Sequence, residues 1–160
     1  MRAADREGKP HSDVALEIIA FHLGEQQFCI KTTSIREIRG WAAATPLPHA
    51  PADVIGVMNL RGSVIPIIDL AARLAVRSTI DASRAAIVVA EVGRNIVGLV
   101  VDQVSDILSI RSDQIQPVPD LGTAFNAGFS HGIIPLERGM VCFLDLDYMF
   151  ANLEGGMDAA

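Results

Sequence analysis

Several features that would set a chain apart from ordinary globular proteins are scarce or missing here. Two cysteines among 160 residues, Cys29 and Cys142, are too few for a disulfide framework. Both lie inside apolar runs, as small reduced core residues do. There is no basic run, and 13 Lys and Arg against 19 Asp and Glu leave a net charge of -6. A nucleic-acid groove needs clustered cations, so the balance argues against that partner. The longest apolar runs, such as Val97 to Val101 and Ala85 to Ala90, are far shorter than the roughly 20 residues of a membrane helix. Met1 to Leu16 is polar and mixed in charge, which is not the pattern of a signal peptide. The expectation is a soluble cytoplasmic protein with no direct membrane insertion.

Enzymatic signatures are missing as well. No Gly-rich phosphate loop carries a Lys, and neither H-E-x-x-H nor a G-x-S-x-G elbow occurs. His11, His22, His49 and His131 are scattered, and none stands at ligand spacing from a cysteine or carboxylate cluster. Asp102, Asp106 and Asp113 could suggest a metal loop. The apolar Val104, Ile107, Leu108 and Ile110 between them, and the absence of a calcium-loop Gly, favour a solvated loop face. No catalytic residue, metal or cofactor is expected.

What is present is apolar bulk and repetition. Half of the residues are hydrophobic and 20% are charged, enough for one domain with a real core. Residues 1–14 read as a disordered tail, with six charges among the first 13. Ile19, Phe21 and Leu23 alternate with Ala20 and His22, the period of a strand with one face buried. Gly24 to Gln27 signals a hairpin turn, and Phe28-Cys29-Ile30 resumes the strand. Pro46, Pro48 and Pro51 mark an irregular connection, after which Val57 to Leu60 and Val64 to Leu70 flank an Arg61-Gly62 turn. Asp69 can cap a short helix through Leu74, Asp147 to Leu153 reads as a last short helix, and residues 154–160 as a frayed end.

Shifting the sequence by 69 positions lays Ile18 to Ile38 on Ile87 to Ile107 without a gap. Pro46-Leu47-Pro48 meets Pro117-Val118-Pro119 at 71, Gly56-Val57-Met58 meets Gly132-Ile133-Ile134 at 76, and Arg61-Gly62 meets Arg138-Gly139 at 77. The halves, about 18–70 and 87–146, predict an all-β domain over 15–153 built as two small barrels, since closing a short sheet removes its edges.

The candidate site is an interaction surface. Ser34 to Gly40 sets alternating charge beside apolar residues, and Gly56 to Gly62 puts Arg61 at a tight turn between apolar strands. Arginine suits a partner's carboxylates and carbonyls and is favoured at interface centres. Yet Arg138 matches Arg61 and Asp106 matches Glu37, so the charges can equally serve an ion pair common to both halves.

These residues resemble the CheW family, the coupling proteins of bacterial chemotaxis. The resemblance rests on Phe21-His22-Leu23-Gly24 with Phe28-Cys29-Ile30, and on Ile35-Arg36-Glu37-Ile38-Arg39-Gly40. It continues through Pro48-His49-Ala50-Pro51, Gly56-Val57-Met58-Asn59-Leu60-Arg61-Gly62 and Val64-Ile65-Pro66-Ile67-Ile68-Asp69-Leu70. In the second half it is carried by Val97-Gly98-Leu99-Val100-Val101-Asp102, Val104-Ser105-Asp106 and Ile115-Gln116-Pro117-Val118-Pro119. It implies two intertwined five-stranded SH3-like barrels without catalytic activity. It also implies an adaptor between the cytoplasmic tip of methyl-accepting chemoreceptors and the regulatory domain of the histidine kinase CheA, recruited to membrane-associated receptor arrays. By position, Glu37 and Arg61 fall in coupling motifs, and Ile30, Ile35, Val100 and Val104 would line an apolar groove for a receptor helix. Gly56, Val57 and Ile65 would face the kinase. Lys31 stands where the family often has an acidic residue, which bears on receptor choice. A coupling role in a chemotaxis-like pathway, such as pilus motility, is the alternative.

Overall fold

A computed structural model describes residues 15–119 and 128–151; the tail expected at 1–14 and the frayed end at 154–160 lie outside them. Among the described residues ten strands run in chain order: β1 (Ala15–Leu23), β2 (Gln26–Lys31), β3 (Ile35–Gly40), β4 (Val54–Leu60), β5 (Ser63–Asp69), β6 (Ala86–Val92), β7 (Asn95–Val101), β8 (Gln103–Arg111), β9 (Ser130–Leu136) and β10 (Gly139–Leu144). Two single-turn helices, α1 (Leu70–Arg73) and α2 (Leu146–Met149), follow β5 and β10. Each has an aspartate cap: Asp69 accepts a hydrogen bond from the Ala72 amide, and Asp145 from the Tyr148 amide. The second helix therefore begins before Asp147, because the capping carboxylate is Asp145.

The strands form two five-stranded sheets, ordered β8-β1-β2-β10-β9 and β3-β6-β7-β5-β4. Each sheet takes the opening hairpin of one half and the last three strands of the other, so the halves are intertwined. Each is drawn toward closure by a bridge outside its strands. Thr45 and Val57 exchange backbone hydrogen bonds of 2.9 and 2.8 Å, and Gln116 and Ile133 exchange a pair of 2.8 Å. Gly56 and Gly132 sit beside these bridges. A Cβ on either would collide with the carbonyl oxygen across the closure, Thr45 in one barrel and Gln116 in the other.

The apolar runs have two faces to fill. Ile18, Ala20, Cys29, Ile134, Val141 and Phe143 pack inside the first barrel, while Ile65, Ile67, Ile87, Val89 and Val100 fill the second. The alternate residues, among them Ile19, Phe21, Leu23, Phe28, Ile30, Val88, Val97 and Leu99, form a third core shared by both sheets. Strand β1 is thus buried on both faces between Ile18 and Phe21, where simple alternation predicts one. The Ala20 side chain occupies the barrel interior.

A second difference concerns Asp102 and Asp106. The expected loop is strand β8, whose period-two pattern is interrupted by a bulge at Ser105. Asp102 ends the β7–β8 connection, where its carboxylate accepts from the Gly24 amide at 2.7 Å and from the Ser78 hydroxyl at 2.6 Å.

Candidate functional site

Hairpin geometry places Arg61. Leu60 pairs with Ser63, which leaves Arg61 and Gly62 as a two-residue loop with φ of 52° and 90°. Positive φ at both central residues is the type I′ turn that suits the right-handed twist of flanking strands. Glycine takes it freely, and Arg61 holds it as a non-glycine residue. The Asn59 side-chain oxygen accepts from the Gly62 amide at 3.2 Å and steadies the turn. The guanidinium is thereby lifted onto the rim, 74% exposed, with Nη2 2.6 Å from Glu37 Oε1 on β3.

Glu37 is only 20% exposed and also takes Arg39 at 3.5 Å, so one carboxylate gathers two guanidiniums. Its position follows from a bulge: Ile35 pairs with Ala90 and Glu37 with Val89, leaving Arg36 unpaired. Ile35 consequently packs against the shared core while Glu37 lies at the barrel rim. The same device recurs in β8, where Val104 pairs with Phe21 and Asp106 with Ala20. Asp106 pairs with Arg138. The loop of the second hairpin is Glu137-Arg138, since Leu136 pairs with Gly139. Arg138 is therefore one place beyond the structural counterpart of Arg61, and the identity match at 77 is out of register with the fold.

The nine residues singled out from the sequence divide by exposure. Glu37 and Arg61 share one rim. Ile35 and Val104 are partly buried at equivalent positions flanking the shared core. Ile30 and Val100, at 1% and 2% exposed, are core residues with no free surface, so they cannot themselves line an open groove. They belong to different cores, Ile30 to the shared one and Val100 to the second barrel. Alternation turns Ile65 inward at 4% exposed, and Gly56 is buried at the closure. Val57 is partly exposed and uses its backbone in the bridge to Thr45.

Sequence reading missed exposed apolar residues in matched positions. Ile38 and Ile107 correspond on β3 and β8, and Val64 and Met140 on β5 and β10, all four exposed. Their signal was the repeat itself, read for surface as well as for core. Burial raises the Cys29 thiol to about 12 and also raises Cys142. Among the described residues no group of three or more His, Cys, Asp or Glu could hold a metal ion, and no helix is long and apolar enough to cross a membrane.

A family model for the CheW-like domain matches residues 17–154, the twin-barrel unit with its rim pair. The chain belongs to the CheW family. It is 48% identical to the chemotaxis protein CheW of Rhizobium meliloti strain 1021 over 138 residues, which is 86% of this chain and 89% of that one. Protein FrzA of Myxococcus xanthus is 29% identical over 108 residues, 68% of each chain. The crystal structure of the scaffolding protein TtCheW from Thermoanaerobacter tengcongensis superposes with a TM-score of 0.77 at 27% identity. That match covers 86% of this chain and 93% of TtCheW. The twin-barrel CheW fold is thus common to both.

Proposed function

We propose that this CheW-family chain is a non-catalytic cytoplasmic adaptor of chemotaxis. In this reading it couples the cytoplasmic tip of methyl-accepting chemoreceptors to the regulatory domain of the kinase CheA within receptor arrays. The observation that carries the proposal is the rim. An arginine held in a tight turn, one side already on Glu37, keeps most of its donors in solvent where another protein can reach them. Ile35, two residues from Glu37, and Val104 at the equivalent position of the other sheet flank the shared core, a seat for the apolar stripe of a receptor helix, with Ile30 supporting from beneath. Val100, Gly56 and Ile65 act as packing that shapes the second barrel, and Val57 is the accessible member of the kinase face. Because the barrels share a core, a partner on one surface is held in fixed relation to a partner on the other, as coupling requires.

The likeness to Protein FrzA favours a second reading, a coupling protein for a chemotaxis-like pathway with another output, such as pilus motility. The test is kinase activity reconstituted with receptor and CheA. Arg61→Glu is expected to keep the native melting profile and to lose receptor control of the kinase. Full control by a folded Arg61→Glu protein contradicts the rim assignment.

A further inference from the structure

The two halves agree in register as well as in order. Ala20 pairs with Asp106, and 69 positions away from each, Val89 pairs with Glu37. Phe21–Val104 becomes Ala90–Ile35, and Ile19–Ile107 becomes Val88–Ile38. The parallel pair Phe143–Cys29 becomes Ile67–Gly98. Both copies share the bulge, at Arg36 and Ser105, and the glycine turn, with φ of 62° at Gly24 and Gly93. The shared core is made of the same positions twice: Ile19 with Val88, Phe28 with Val97, Ile30 with Leu99, Leu70 with Leu146. A surface that meets its own equivalent around a two-fold axis is the signature of an isologous dimer, here with exchanged hairpins.

Only one covalent link joins the halves. After α1 the chain runs from Leu74 to Ala85 with no strand or helix, and its turn at Asp81–Arg84 is exposed and held by Asp81 and Ser83 within itself. Upstream it is anchored independently: Ser78 reaches Asp102, and the Arg77 carbonyl packs so tightly on Gly24 that a Cβ there would collide with it. We infer that the chain is a fused isologous dimer, whose halves, ending and restarting near Ala82, are complementary partners that need each other's strands and not the peptide between them. Each sheet is completed only by strands from both halves, through the β1–β8 and β2–β10 pairings in one and the β3–β6 and β5–β7 pairings in the other, so neither half has a complete sheet alone. This conclusion is independent of the proposed partners.

The test is a single cut. A protease site inserted between Ala82 and Ser83 of the full chain is cleaved under native conditions. The fragments are expected to co-elute at the intact mass, to keep the β-sheet circular dichroism, and to reassemble after dilution from urea. Separation or precipitation of the fragments on cleavage overturns the inference. Limited trypsin cleavage of the unaltered chain after Arg77 or Arg84 reads the same claim without an insertion. A nicked product that stays whole supports it, and one that falls apart refutes it.

Discussion

Glu37 on β3 and Arg61 in the β4–β5 turn meet at 2.6 Å, and half a chain later Asp106, the counterpart of Glu37, pairs with Arg138 from the next position of the equivalent turn. The recurrence says that a rim ion pair belongs to the barrel plan, so each pair ties an edge strand to the neighbouring hairpin. It does not make the two rims alike. Arg61 is 74% exposed and Arg138 31%, so only the first offers most of its guanidinium outward.

Exposed pairs stabilise little. A double-mutant cycle of Glu37→Gln and Arg61→Gln in urea unfolding is expected to give a coupling of about 0.2–1 kcal/mol, shrinking as salt is added. A coupling several times larger would make the pair chiefly structural.

Barrel closure should be the more fragile feature. Gly56→Ala and Gly132→Ala each force a methyl into a carbonyl and are expected to cost about 1–3 kcal/mol or more. Gly40→Ala, with open space around the glycine, is expected to stay within about 0.5 kcal/mol of the parent. Chemical denaturation of the three variants measures the contrast.

Removing a helix cap tests the short helices. Asp69→Ala and Asp145→Ala each leave a backbone amide without its carboxylate partner, Ala72 in one helix and Tyr148 in the other. Each is expected to lower stability by roughly 1 kcal/mol without altering the sheets.

The buried thiol gives a pH dependence. Burial raises Cys29 from 9.0 to about 12 in the folded protein, so the folded state holds this proton more tightly than the unfolded chain does. Its contribution to stability is complete below pH 9 and is lost as pH rises toward 12. Iodoacetamide at pH 8 is expected to leave Cys29 unmodified in native protein and to label it in urea, as read by mass spectrometry. Prompt labelling of Cys29 in native buffer would contradict its placement inside the barrel.

Much of this architecture was legible in the residues. Turn glycines, the capping Asp69 and the repeat offsets announced paired hairpins, because those signals are local. The third core was not legible. A strand buried on both faces looks like an apolar run, and nothing in Ile18 to Phe21 says which alternate residues face a barrel and which face its twin. Ile30, Val100 and Ile65 were placed at interaction faces by the family resemblance, and their side chains lie inside. Bulges were the other obstacle. Ser105 breaks the period of β8 and hides its strand character, and the Arg-Gly identity at 77 drew Arg61 to Arg138 although the two hairpins, with loops of equal length, keep the offset of 76 throughout.

The central claim is that one molecule grips two proteins at once, and sedimentation of a three-component mixture tests it most directly. Purified chain, a receptor signalling tip and the CheA regulatory domain are expected to sediment as a single complex containing all three, with Arg61→Glu losing the receptor alone. Mutually exclusive binding, in which either partner displaces the other, would contradict the account.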